Sequence, residues 1–154
     1  MMCSLDSKTG NIVFNFGSTA NFVHETTHGG QFENGELAFD KISGNSQAQD
    51  VFDEVAAYSA QFAYDPNSIS RVTSSSIANS FDAITPAWVQ GIINPRNGEK
   101  NYAPGGRANT GITPVNINTN RDGLIKAYPH QAEGLGKLSA ETTLKSSPSI
   151  YYKK

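Results

Sequence analysis

His24-Glu25-Thr26-Thr27-His28 is the stretch on which the reading of this chain turns. Positions four apart lie on one face of a helix, so both imidazoles reach the same point in space if the stretch is helical. Two neutral imidazoles plus a carboxylate suit Zn2+, with a fourth position left to water. Glu25 is placed to take a proton from that water. Two of the chain's three histidines fall within these five residues. The plainer alternative is a polar helix that carries two ordinary histidines, so the surrounding sequence has to supply a third ligand and a cleft.

Working outward, the motif helix is expected over about 20–32. Ser18 or Thr19 is its cap, and Phe22, Val23 and Phe32 give it an apolar side. Gly29-Gly30 either ends the helix or lets another segment approach closely, and Asn34-Gly35 breaks it. Upstream, residues 11–16 (Asn-Ile-Val-Phe-Asn-Phe) read as a short strand after the Thr9-Gly10 turn. Such a strand either walls a cleft along which extended substrate pairs or is an ordinary edge.

Downstream, Ser46-Gln47-Ala48-Gln49 has the form of a capping box. Phe52, Val55, Ala56, Ser59, Phe62 and Ala63 then follow helical spacing, and Asp65-Pro66 ends the helix. Glu54 lies beside that apolar stripe. A carboxylate near packed surface needs a partner, and a metal ion is one; a salt bridge or solvent is the other option. Ala56 and Ala57 would let this helix approach the motif helix. Asp50 and Asp53 compete with Glu54, although Asp50 sits where acids favour the helix dipole.

Asp65-Pro66 and Thr85-Pro86 both read as helix starts. The first is expected to carry Ile69, Val72, Ile77 and Phe81, the second Trp88, Val89, Ile92 and Ile93, with Trp88 in the core. Residues 94–123 are rich in Asn, Gly, Pro, Thr and Arg, and a loop of that length is typically a functional lid or disordered. A strand is signalled there only around 112–118, and residues 124–154 read as Leu124-Ile125 followed by a polar tail. Tyr128 and His130 are candidates for stabilising a transition state, and His130 is an alternative third ligand.

The composition bounds the rest. The 154 residues are 37% hydrophobic, with a mean hydropathy of -0.43, which suits one domain with a real core. The first 93 residues carry ten acidic and three basic side chains, and the remainder four and nine. An acidic half fits a cation site, while the basic residues are scattered, which makes nucleic acid an unlikely partner. No apolar run approaches a membrane span, and the first residues lack the regions of a signal peptide. That leaves cytoplasmic residence, export by a non-classical route, or a piece of a longer polypeptide. Cys3 is the only cysteine, so no internal disulfide forms, and an inert or surface thiol is expected.

His24-Glu25-x-x-His28-x-x-Gln31, followed by Glu54-Val55-Ala56-Ala57-Tyr58, resembles the zincin metallopeptidases of gluzincin type. The 26-residue interval from His28 to Glu54 is similar to that of the compact members, including metallopeptidase domains of bacterial polymorphic (RHS-type) toxins. The resemblance covers roughly residues 11–65. It implies Zn2+ on His24, His28 and Glu54, Glu25 as general base, and Tyr58 as a candidate for stabilising the oxyanion. It also implies a protein or peptide substrate and, in a toxin or effector setting, a cognate inhibitor or immunity protein. Compact zincins have more chain before the motif helix than the roughly twenty residues here. The metzincin pattern is excluded, because its glycine and third histidine would fall at Gln31 and Asn34.

The expected fold is therefore α+β and mainly helical: a single compact zincin-like domain over 1–154. Residues 11–93 form a strand and a helical metal-site core, with a small or incomplete sheet, and 94–154 form a long irregular C-terminal portion. The expected function is a zinc-dependent peptidase. The alternatives are an inactive zinc-stabilised binding module and a non-metal interaction protein that uses its basic C-terminal half.

Overall fold

A computed structural model describes residues 2–153. It is a small α+β domain, 39% helical and 14% strand, so helices dominate as expected. Two strands, β1 (Met2–Leu5) and β2 (Ile12–Asn15), pair antiparallel as a hairpin. The strand expected over 11–16 thus has a partner in the first residues of the chain. Cys3 and Leu5 turn inward from β1, opposite Phe14 and Ile12, and pack with Phe32, Leu37 and Phe39. Cys3 is therefore not a surface thiol. It is buried, and burial pushes its pKa up to about 12.

Helix α1 (Thr19–Glu33) carries the motif. Ser18 caps it by accepting a hydrogen bond from the Asn21 N–H at 3.2 Å. The helix runs through Gly29-Gly30, and the glycine matters for what lies beside it. A Cβ on Gly29 would meet the Phe14 ring at 2.9 Å, so glycine there lets β2 close onto the helix. Strand β3 (Ala38–Asp40) then forms the centre of a second sheet, between β4 (Ser46–Gln47) and β5 (Ile150–Tyr151), both antiparallel to it. The chain's end, expected to be a polar tail, thus returns to the middle of the molecule, where Tyr151 stacks on Phe32.

Helix α2 (Val51–Tyr64) packs against α1 more extensively than against any other element. It begins four residues later than the Ser46 box suggests. The cap is Asp50, whose carboxylate accepts from the N–H groups of Phe52 and Asp53, while the Asp53 side chain accepts from Asp50 N–H. Its buried stripe is also rotated from the expected one. Val51, Glu54, Ala57, Tyr58, Gln61 and Phe62 are buried, whereas Phe52, Ala56 and Ala63 are exposed. The face toward α1 is partly polar, which apolar periodicity does not register.

Asp65 ends α2 and caps α3 (Pro66–Ser70), which stops well short of Phe81. The Thr73–Ser76 run is irregular, and Ser74 and Ser76 instead bond to Trp88. Helix α4 (Pro86–Gln90) starts at Thr85 as expected, with Trp88 buried among Tyr58, Phe62, Ile69 and Val89. Residues 112–118 form no strand of a sheet. Their backbone is spent on α2 and neighbouring loops: Val115 N–H donates to Asp50 at 2.9 Å and Ile117 N–H to Gly35 at 3.2 Å. Helices α5 (Arg121–Ala127) and α6 (Ala132–Leu135) follow. No helix among the described residues is long and apolar enough to cross a membrane.

Candidate metal centre

Helix α1 brings His24 and His28 to the interface with α2, and α2 brings Glu54 to meet them. The two imidazole Nε2 atoms lie 3.2 Å apart. Glu54 Oε2 is 3.3 Å from Nε2 of His24, and Oε1 is 3.2 Å from Nε2 of His28. Donors about 2.0–2.1 Å from a tetrahedral ion stand roughly 3.3 Å from one another, close to the 3.2 Å between the imidazoles and the 3.3 Å from His24 Nε2 to Oε2. All three residues are buried, Glu54 to 1% exposure. Among the described residues they are the one convergent group of metal-capable side chains.

Two glutamines fix which imidazole nitrogens carry protons. Gln31 donates its amide to the Asp53 carbonyl at 3.0 Å, so its oxygen must face His28 Nδ1, 2.8 Å away. Gln61 donates to Ser68 Oγ at 3.0 Å, while that hydroxyl donates to the Asp65 carbonyl. The Gln61 oxygen therefore faces His24 Nδ1 at 3.1 Å. An amide oxygen only accepts, so both Nδ1 atoms hold the proton and both Nε2 atoms present lone pairs.

With both rings neutral, two lone pairs and a carboxylate converge, and Glu54 Oε2 has no hydrogen-bond partner. That arrangement costs several kcal/mol unless a cation compensates. A proton is one answer. Burial opposes charge on His28, but the adjacent Glu54 outweighs it and pushes the imidazole up to about 9. Burial would likewise raise Glu54, yet His28 and His24 hold it well below the usual carboxylate range. A single proton bridges only one pair of these atoms, whereas a divalent ion satisfies all three. The donor set fits zinc.

The centre forms the floor of a cleft of about 650 Å³. Glu25, next to His24 on α1, lines it, and burial raises the carboxyl above its ordinary value. Residues 94–123 supply Asn101, Tyr102 and Arg107 to the wall, and β4 supplies Ser46 and Gln47. The long loop therefore reaches the site.

Of the candidate stabilisers, Tyr58 packs its ring 4.4 Å from His24, and its hydroxyl meets that of Tyr102 at 3.0 Å. Tyr128 donates its hydroxyl to the Gln49 carbonyl at 2.9 Å and does not itself line the cleft. His130 is exposed, bonds to Asn109 at 3.0 Å and does not join the ligand cluster. Sequence reasoning assigned no role to Gln61 or Tyr102, and it read Gln49 only as the glutamine of a capping box that the structure places at Asp50 instead. Gln61 was within reach, since it lies seven residues after Glu54 on the same helical face. Tyr102 sits in irregular chain with no periodic signal.

Comparison with protein-family models, curated proteins and solved structures gives no match for this chain.

Proposed function

We propose that this chain is a small zinc-dependent peptidase of zincin type. The observation that carries the reading is the convergence of His24 Nε2, His28 Nε2 and Glu54 Oε2, three buried metal-capable atoms, beside a carboxylate that lines a cleft.

Bound zinc supplies Lewis acidity, lowering the pKa of water to about 7 and polarising a carbonyl. The protein's own groups do the rest. Glu25 takes the proton from the attacking water onto its carboxylate and delivers it to the leaving amide nitrogen. Its raised pKa suits both directions of that transfer. Gln61 and Gln31 keep the imidazoles in the ligating tautomer. Tyr102, on the cleft wall and paired with Tyr58, is the hydroxyl best placed to donate to the carbonyl oxygen as it gains negative charge. Strand β4 is an edge of its sheet, and its Ser46 and Gln47 offer extended substrate a wall to lie along. A toxin or effector setting, with a cognate inhibitor protein, rests on the motif resemblance alone.

One further reading has a specific observation behind it. The ligands are buried between α1 and α2, so an ion there also staples the two helices and would stabilise a module with no activity. Glu25→Gln separates the two. The peptidase reading expects zinc retained and cleavage of denatured protein reduced roughly 10²–10⁴-fold. A wild-type protein that holds zinc, cleaves nothing in a broad panel of denatured proteins and melts earlier with chelator would leave only the stabilised module.

A further inference from the structure

Gln49 lies on the cleft wall one residue before the cap of α2, and three separate parts of the chain hold it in place. Its backbone carbonyl accepts from the Tyr128 hydroxyl at 2.9 Å and from the Gly111 N–H at 2.8 Å. Its side-chain oxygen accepts from the Ser46 hydroxyl at 2.9 Å. With that oxygen occupied, the amide NH2 points at Glu54 and donates to Oε1. The chain turns into this position through Ala48, which is buried in the left-handed region at φ 64. For a residue with a Cβ that conformation is disfavoured, so the fold accepts strain to aim Gln49.

The two oxygens of Glu54 are therefore unlike. Oε1 is engaged by the Gln49 amide, whereas Oε2 has no hydrogen-bond partner. A cation is drawn to the bare oxygen and repelled by the positive end of an N–H dipole. Resting on the zinc reading above, we infer that Gln49 is a positioning residue that restricts Glu54 to a single ligating oxygen, Oε2. The consequence is functional. A Glu54 that binds through both oxygens would fill the coordination position that a peptidase needs for water, and Gln49 keeps that position open toward the cleft.

The test uses the full chain loaded with Co2+, whose visible bands are strong in four-coordinate sites and weaken when a fifth ligand joins. The wild type is expected to give the strong four-coordinate spectrum. Gln49→Leu, which keeps the side chain's bulk and removes the donor, is expected to hold one ion per chain but lose band intensity. X-ray absorption on the zinc form should show an added oxygen ligand. Gln49→Met, unbranched at Cγ, repeats the measurement if the leucine variant does not fold. An unchanged spectrum and ligand number in a folded variant overturns the role of Gln49 and leaves the metal site standing. Failure of the wild type to bind Co2+ overturns both.

Discussion

The two histidines are oriented by their neighbours. Gln31 and Gln61 each spend an amide N–H elsewhere, which turns their oxygens toward Nδ1 and leaves each Nε2 bare. Replacing Gln61 by Leu removes the acceptor that fixes the His24 ring while keeping the ligand itself. Zinc affinity should fall about 10–100-fold, read by competition with a chromophoric chelator. Cys3 gives a second expectation at this scale. Its thiol titrates near pH 12 in the folded protein, against an ordinary value of 9.0, so at pH 8 it stays protonated. Alkylation at that pH should be slow in the folded protein, where Cys3 lines the cleft at 8% exposure, and accelerate steeply in denaturant. His24, Glu25, His28 and Glu54 were legible in the sequence because motif and spacing mark them. The glutamines were not, because an amide becomes informative only once its two hydrogen-bond partners are known.

Helix α2 shows how an element can be recognised and its details displaced. The Ser46-Gln49 pattern has the chemistry of a cap, but Ser46 lies in β4 and its hydroxyl holds Gln49. Asp50 is the cap in fact, and its second oxygen also accepts Val115 N–H at 2.9 Å. No local pattern reveals that contact across 65 residues. Asp50→Ala should therefore cost more than an ordinary cap. Loss of the cap contributes about 1 kcal/mol, and the stranded buried N–H a further 1–3 kcal/mol or so. A denaturant midpoint that implies at least ~2 kcal/mol of destabilisation is the expected outcome. The rotated stripe has a related cause: α2 buries Glu54 and Gln61 toward α1, where they meet His24 and His28, and a reading based on apolar spacing assigns those positions to the flank.

Across the whole molecule, the chain divides its apolar residues among several small clusters. Segments distant in sequence are joined by short pairings, such as the Ile117 N–H on the Gly35 carbonyl and the two-residue pairing of β5 with β3. The C-terminal half resisted reading because its order comes from these long-range bonds and not from its own periodicity. An ion held between α1 and α2, as proposed, would add to the stability of the whole fold. Free zinc at a hundredfold excess over its Kd should add about 2.7 kcal/mol of stability. For a chain of this size that raises the melting temperature by roughly 5–10 °C, and chelator should reverse it.

Elemental analysis of the purified protein decides whether His24, His28 and Glu54 together hold one divalent ion. About one zinc per chain is expected in the wild type and in Glu25→Gln, and loss of that zinc in His24→Ala and Glu54→Ala. A wild type that stays free of metal after incubation with zinc, or a full equivalent retained by Glu54→Ala, would contradict it.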